Sequence, residues 1–447
     1  MSVLYNKESV IFKLWKQFSK YFSKETKPTQ RHLFNIVLSI LGLNGFQSIK
    51  FNYEHFINEI SEYGLKSYYY TMNESKIDLC DWMKRLAENA LSVINEQSKQ
   101  QPIILSIDDT MIEKFGGNFE NCSRLFDHAA HNGSNYLNGH CFVSLMLSVP
   151  VQEENNRRYL SIPVGYRMWT KEKSKLAMAA ELVRTVMKII GFERQVVLCC
   201  DSWYPKGEVS ELVNEFDNLT IICNVRSDTV LFELPPEPTG KRGRPRKHGD
   251  RLALEDFTLQ EIPNTDFYAG SRKVLTNIFD QKTVYAVVTK SKKTDSFRLF
   301  LCTQSPEALG FDIDFITTEN ARSYAKVDYA FLPMSIYSMR WNIEVSYYEQ
   351  KTFWSLGNYM LRSKTGIERI LNLITLVYSS MTLLPYLDTS FSNLRRYSSQ
   401  QVRFVLGNLV HRQVFFSTFA DRLKSIKNHA NIIDIIENYC FQLDFAC

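Results

Sequence analysis

The segment from Tyr337 to Lys351 carries four polar residues at spacings that would bring them to one face of a helix. Tyr337 lies seven residues before Glu344, and Arg340 lies four before it. Lys351 lies seven residues after Glu344. Because each residue turns an α-helix by about 100°, the four side chains are predicted to fall within an arc of roughly 60 to 80°. That face would present a carboxylate between two cations and a phenol, a set suited to phosphate oxygens. The competing interpretation is an ordinary helix surface with one Arg–Glu pair.

Two aspartates each follow a short apolar run rich in β-forming residues. Asp108 stands in the run LSIDDT after Pro102, and Asp201 stands in CCDS after the run RQVVL. Open α/β sheets place their functional sites beyond the carboxyl ends of strands, so two such acids on one sheet predict a site there. Aspartate is also favoured in ordinary strand-end turns, and either acid alone would indicate no more than that.

The elements that must position these residues predict an α/β protein flanked by helical regions. Apolar residues at helical spacing predict helices up to about Gln100, and from Pro102 the pattern becomes three strands, a helix, a strand, a helix and a strand. The stretch 226–330 combines a loop rich in Pro, Gly and basic residues with strand-like runs, and helical spacing resumes near Leu332. We therefore divide the chain into a helical N-terminal domain that is a candidate DNA-binding unit (1–100), a core in two parts (101–225 and 331–386), a β-rich insertion (226–330) and a helical C-terminal region (387–447).

The spacing Tyr-x2-Arg-x3-Glu-x6-Lys resembles the signature of prokaryotic insertion-sequence transposases of the DDE type, and Tyr337, Arg340, Glu344 and Lys351 match it without a gap. The resemblance covers roughly 102–384 and implies a ribonuclease H-like catalytic core with a β-rich insertion. It implies that Asp108, Asp201 and Glu344 are the catalytic residues and metal ligands. It also implies that Tyr337, Arg340 and Lys351 hold DNA phosphates near the cut. The implied function is metal-dependent cleavage of transposon ends and strand transfer into target DNA.

Carboxylates are the ligands that this chemistry requires. Two hard divalent cations about 4 Å apart can activate an attacking oxygen and stabilise a leaving oxygen at a phosphodiester. Mg²⁺ or Mn²⁺ binds through few protein oxygens, so three acids suffice. Asp108 and Asp109 are adjacent, and strand side chains alternate, so only one of them can face the site. We prefer Asp108, because relatives show Asp, any residue, then Thr or Ser, and Thr110 completes that pattern.

A basic run between Pro235 and Gly249 is a second candidate DNA contact. Its Arg-Gly-Arg-Pro sequence resembles an AT-hook core, whose extended backbone lets arginines enter a narrow A·T minor groove. The competing interpretation is a solvated basic loop, which would still attract DNA without sequence preference. The cations of the run are Lys241, Arg242, Arg244, Arg246 and Lys247.

Composition is that of a globular protein with a large core: 447 residues, 45% hydrophobic, with a net charge of +5. The apolar stretch from Ile370 to Leu387 contains Asn372 and Thr375, which favours a buried core helix over a membrane span. The beginning of the chain lacks the pattern of a secretory signal. We therefore expect a cytoplasmic, nucleoid-associated enzyme.

The nine cysteines include no Cys-x-x-Cys pair, which predicts reduced packing residues. His128 and His131 have ligand-like spacing, but no cysteine pair accompanies them, so no zinc site is predicted. The expected partners are double-stranded DNA, as transposon ends and target, and a second copy of the chain, because two ends must be joined.

Three alternatives remain open. The first is a ribonuclease H-like nuclease that cuts without strand transfer, and the second is a catalytically silent, transposase-derived DNA-binding protein. The third is a structural protein whose acids fall into register by chance. Convergence of the three carboxylates within about 4 to 8 Å would argue against the third.

Overall fold

The computed structural model describes residues 9–43, 45–127, 135–153, 156–237, 246–279, 282–316, 319, 322, 323, 326 and 328–423, with side chains as far as 415. The chain divides into two compact units. One comprises Met1–Ile77, Asn358–Met360 and Gln400–Cys447, and the other comprises Asp78–Gly357 and Leu361–Ser399.

Helices occupy both units. In chain order they are α1 (Val10–Tyr21), α2 (Lys27–Gly42), α3 (Ile49–His55), α4 (Leu65–Asn73), α5 (Leu79–Ser92), α6 (Lys175–Ile190), α7 (Glu208–Glu215), α8 (Leu332–Tyr337), α9 (Trp341–Phe353), α10 (Lys364–Leu387) and α11 (Ser399–Leu423). The first three helices begin at Ser9, Thr26 and Ser48, whose hydroxyls accept a backbone N–H of the first turn. These caps satisfy donors that the helix itself leaves free.

The strands all belong to the second unit. They are β1 (Ile103–Glu113), β2 (Ser123–Phe126), β3 (Tyr136–Glu153), β4 (Asn156–Met168), β5 (Val196–Cys200), β6 (Leu219–Val225), β7 (Leu231–Phe232), β8 (Arg251–Leu252), β9 (Gln260–Glu261), β10 (Phe267–Thr276), β11 (Thr283–Ser291) and β12 (Phe297–Cys302). The predicted strand and helix order between Pro102 and Val225 matches this order, with β2 as an additional short strand. The protein is therefore α/β with a mixed sheet.

One sheet contains these strands in the order β2-β3-β1-β5-β6-β12-β11-β10-β7-β8, with β4 paired to β3 and β9 to β10. The three strands β1, β5 and β6 are parallel, and the other pairs are antiparallel. The strand-like runs predicted within 226–330 thus extend the same sheet through pairing of β12 with β6.

Strand β1 is longer than the sequence pattern indicates. We expected Asp108 at the carboxyl end of a short strand, but β1 continues to Glu113. Its parallel pairing with β5 ends at Ser106 opposite Cys199, whereas its antiparallel pairing with β3 continues to Glu113. Asp108 therefore lies inside a strand, just beyond the point where the parallel neighbour ends.

The helix predicted around Glu344 is also interrupted. A 3₁₀ turn at Ser338–Arg340 separates α8 from α9. Because a 3₁₀ turn winds more tightly than an α-helix, Tyr337 and Arg340 do not follow the regular angular spacing assumed for one continuous helix.

Helix α10 forms the core of the second unit. It is the one helix within the described residues that is long and apolar enough to cross a membrane by length and composition, and 83% of its most apolar window is buried. Its polar side chains bond to neighbouring elements: Asn372 accepts from Tyr166 N at 2.9 Å, and Ser379 donates to Pro163 O at 2.7 Å. This burial agrees with the predicted core helix.

Candidate active site

Asp108 and Asp201 lie side by side at the junction of β1 and β5. Each stands two residues beyond the last parallel pair, Ser106 opposite Cys199. Backbone amides fix both carboxylates: Asp108 Oδ1 accepts from Asp109 N at 2.8 Å, and Asp201 Oδ1 accepts from Trp203 N at 3.0 Å. The sheet therefore brings together two acids that are far apart along the chain.

Arg340 connects this pair to Glu344. Its Nη1 donates to Asp108 Oδ2 at 3.1 Å, and its Nη2 donates to Glu344 Oε1. One guanidinium thus bridges a carboxylate on the sheet and a carboxylate on α9. Two of the three predicted acids therefore contact Arg340, and the third, Asp201, lies close to Asp108.

The site is largely withdrawn from solvent. The side chain of Arg340 is 12% exposed, that of Asp108 18% and that of Glu344 32%. Burial raises the pKa of the Asp108 carboxyl to about 7, Arg340 opposes that rise, and the nearby Asp201 adds to it. The carboxylates of Asp108 and Asp201 repel each other in this poorly solvated site, and one guanidinium balances only part of their negative charge.

Tyr337 and Lys351 lie at opposite ends of this group. The guanidinium of Arg340 lies 5.7 Å from the centre of the Tyr337 ring, which packs edge-on against Phe300 at 5.1 Å. Burial raises the pKa of the Tyr337 phenol. Lys351 Nζ donates to Met111 O at 2.9 Å, three residues beyond Asp108 on β1. Both side chains therefore also support the packing of α8 and α9 on the sheet.

Asp109 lies in a separate hydrogen-bond group. Its Oδ2 accepts from Lys175 Nζ at 2.7 Å and from the Cys141 thiol at 3.1 Å, and its Oδ1 accepts from Tyr204 at 3.0 Å. Strand alternation directs its side chain away from the face that carries Asp108. Asp108 is thus the member of the pair that contacts Arg340.

The partners of Asp109 are residues that sequence reasoning missed. Lys175 opens α6, and Tyr204 follows Asp201 by three residues. Both are far from Asp109 along the chain, so no helix or strand spacing predicts their contact with it. The one available signal was the alternation of Asp108 and Asp109, which requires the second carboxylate to find partners on the other face of the sheet.

The three carboxylates have the donor chemistry for a hard divalent cation, but Arg340 lies between Asp108 and Glu344. Within the described residues, no group of three or more His, Cys, Asp or Glu side chains is arranged to hold a metal ion. Asp108 and Asp201 have the donor chemistry that Mg²⁺ prefers, and their mutual repulsion favours a cation. Glu344 would complete the set if it exchanged its contact with Arg340. His128 and His131 lie outside the described residues.

The basic run is only partly described. Arg246 and Lys247 are exposed, and Arg246 pairs with Asp250 at 3.5 Å with both side chains mostly in solvent. Arg242 and Arg244 lie outside the described residues. Strands β7 and β8, which flank the run, pair with each other.

Comparison with known proteins gives one family match. The family described as DDE superfamily endonuclease matches residues 59–266, a little under half of the chain, including Asp108 and Asp201 but not Glu344. No curated protein matches. Among solved structures, the alignment with the Drosophila P element transposase strand transfer complex has 11% sequence identity and a TM-score of 0.18, and it covers 90% of this chain and 86% of the other chain. The family match supports a nuclease of the DDE type in the part of the chain that contains both aspartates.

Proposed function

We propose that the protein is a DDE transposase that cuts DNA at transposon ends and transfers the strands to target DNA, using Asp108, Asp201 and Glu344 on a ribonuclease H-like core. The observation that carries this proposal is the bridge that Arg340 makes between Asp108 on the sheet and Glu344 on α9, with Asp201 close to Asp108. The family match supports the nuclease part. Strand transfer rests on the Tyr337, Arg340, Glu344 and Lys351 spacing alone.

In this reaction, the chain's own residues would have separate roles in metal binding and phosphate binding. Asp108, Asp201 and Glu344 would bind two Mg²⁺ or Mn²⁺ ions, which when bound supply positive charge to the attacking and leaving oxygens. Arg340, released from Glu344, offers a planar guanidinium for two phosphate oxygens. Lys351 adds a point charge at the other end of α9. The burial of this group limits water and strengthens each charge interaction.

The proposed partners follow from the same chemistry. Double-stranded DNA would serve as both transposon end and target, and two copies of the chain would hold two ends. Arg242, Arg244, Arg246 and Lys247 would contact DNA away from the cut. We place the reaction in the cytoplasm, on the nucleoid.

The decisive experiment is nicking of a supercoiled plasmid that carries the gene with its flanking DNA. We expect nicking with Mg²⁺ or Mn²⁺, none with chelator, and a loss of at least about 100-fold in Glu344→Ala. Glu211→Ala, which removes an exposed glutamate from α7, is the matched control and should cut as the wild type does. Unchanged cutting by Glu344→Ala would remove Glu344 from the mechanism.

The same experiment separates the alternatives. Cutting followed by joining of the freed ends to a second plasmid supports transposition, whereas cutting without joining supports a nuclease. Metal-independent DNA binding with no cutting under any condition supports the catalytically silent alternative. The bridging of Asp108 and Glu344 by Arg340 is the observation that keeps this last alternative relevant.

A further inference from the structure

The backbone ladder between β1 and β5 ends before either aspartate of the site. Its last parallel pair is Ser106 opposite Cys199. Asp108 and Asp201 each lie two residues further along the chain. Beyond that pair, β1 stays paired with β3 on its other side, and β5 stays paired with β6 as far as Cys200. The ladder between β1 and β5 therefore does not set the distance between the two carboxylates.

A side-chain hydrogen bond joins these two segments on the face of β1 opposite to Asp108. The Tyr204 hydroxyl donates to Asp109 Oδ1 at 3.0 Å, and Asp109 directly follows Asp108 on β1. Tyr204 is only 1% exposed, and a hydrogen bond in such a poorly solvated place is stronger than one in water. The bond thus connects β1 to the turn that follows β5.

The turn that carries Tyr204 also holds Asp201. Asp201 Oδ1 accepts from Trp203 N at 3.0 Å, and Asp201 O accepts from Tyr204 N at 3.3 Å. Because both bonds lie within one turn, the Asp201 carboxylate and the Tyr204 side chain shift together. A displacement of Tyr204 away from Asp109 would therefore also displace Asp201 from Asp108.

Lys175 balances the charge of Asp109 on this opposite face. Its Nζ donates to Asp109 Oδ2 at 2.7 Å, and both side chains are 18% exposed. Lys175 Nζ also lies 5.7 Å from the centre of the Trp203 ring, in the turn that holds Asp201. A carboxylate already in an ion pair with a lysine attracts a further cation weakly, which gives Asp109 a different role from Asp108.

We propose that Asp109 and Tyr204 are positioning residues that set the distance between Asp108 and Asp201, and thereby the affinity of that pair for a divalent cation. The inference rests on the proposed function, because it takes the two aspartates to be metal ligands. Functional groups must be held within about 0.5 Å of their working positions, and hydrogen bonds from neighbouring residues supply that precision. Neither positioning residue would touch the cation itself.

The test measures Mn²⁺ binding to the full chain without DNA, from the electron paramagnetic resonance signal of the free ion. Tyr204→Phe keeps the buried ring and removes only the hydroxyl. We expect it to weaken Mn²⁺ binding by at least about five-fold, the size of one lost hydrogen bond. In the nicking assay, the Mn²⁺ concentration that gives half the maximal rate should rise by a similar factor, while the rate at saturating Mn²⁺ changes less.

Tyr159→Phe is the matched control. Tyr159 is also a buried tyrosine, and its hydroxyl donates to Pro102 O at 2.7 Å, just before the first residue of β1. This variant should lose a similar amount of stability in thermal melting but bind Mn²⁺ as the wild type does. A purely structural role of Tyr204 would make the two variants alike in Mn²⁺ affinity.

A second comparison tests Asp109 with the charges removed. Asp109→Asn with Lys175→Met keeps an oxygen that can accept from Tyr204, whereas Asp109→Ala with Lys175→Met removes it. The asparagine protein should bind Mn²⁺ at least about five-fold more tightly than the alanine protein. Adding Tyr204→Phe to the alanine protein should weaken binding no further, because both changes remove the same hydrogen bond. This comparison decides the question even where Tyr204→Phe alone does not fold.

Two results would overturn the inference. They are Mn²⁺ affinity in Tyr204→Phe equal to that in Tyr159→Phe, and equal Mn²⁺ affinities of the asparagine and alanine proteins. Failure of the proposed function is distinguishable, because Mn²⁺ would then bind to Asp201→Ala no less tightly than to the wild type. Weakened binding by Asp201→Ala together with either overturning result removes the positioning role alone.

Discussion

Arg340 is the residue on which the arrangement of the site depends. It forms ion pairs with both Asp108 and Glu344, it lies over the Tyr337 ring, and its Nε is buried without a hydrogen-bond partner in the described part of the chain. Its guanidinium lies between two carboxylates whose oxygens are also ligands for a divalent cation. Protein cation and metal cation should therefore compete for the same carboxylates.

Arg340→Ala should lower the free energy of unfolding by about 3 kcal/mol, because it leaves buried carboxylates unpaired. Mn²⁺ should raise the melting temperature of this variant more than that of the wild type, since the ion takes the vacated position. Arg246→Ala is the matched control: it also breaks a pair with an acid four residues later, but an exposed one, and should cost less than about 1 kcal/mol. Equal Mn²⁺ stabilisation of Arg340→Ala and wild type would contradict the competition.

At the scale of elements, the close pairing of β1 with β3 positions Asp108. Gly139 lies opposite Glu113 on β1 and opposite Ser123 on β2. A Cβ at Gly139 would lie 2.1 Å from Ile112 O, so only glycine allows the two strands to approach. The end of β1 that this contact fixes also carries Met111, whose carbonyl accepts from Lys351.

Gly139→Ala should destabilise the protein by about 2 kcal/mol, because the strands must separate to admit the methyl group. Gly117→Ala is the control, since a Cβ there would meet nothing within 4 Å. Chemical denaturation of the two variants measures the difference. A Gly139→Ala protein as stable as Gly117→Ala would show that β3 shifts without cost.

The elements also show what sequence patterns could predict. Asp201 follows a five-residue apolar strand, and Glu344 falls in a segment of helical spacing, so local patterns sufficed to nominate both. The length of β1 could not be predicted, because the partner strand β3, not β1 itself, determines where it ends. The 3₁₀ turn at Ser338–Arg340 could not be predicted from the sequence, because apolar periodicity does not distinguish it from an α-helix. The contact of one arginine with two acids depends on tertiary packing.

At the scale of the whole molecule, the continuity of the sheet links the site to the basic run. The strands from β5 to β7 are hydrogen-bonded neighbours without a break. Asp201 follows β5, and the basic run leaves β7 and returns at β8. No hinge between separate sheets intervenes, so the second unit carries both features on one backbone scaffold.

If DNA contacts both the site and the basic run, as proposed, the breadth of that scaffold sets the distance between the two contacts. Five strand spacings separate β5 from β7, which at about 4.8 Å each is roughly 24 Å along the sheet. That distance corresponds to about seven base pairs. A hydroxyl-radical footprint of Glu344→Ala, which leaves the DNA uncut, should show protection at the cleavage point and again about seven base pairs away. When Arg246→Ala and Lys247→Ala are added to Glu344→Ala, only the distant protection should be lost. Loss of protection at both positions would show that the basic run does not contact DNA at a fixed distance from the cleavage point.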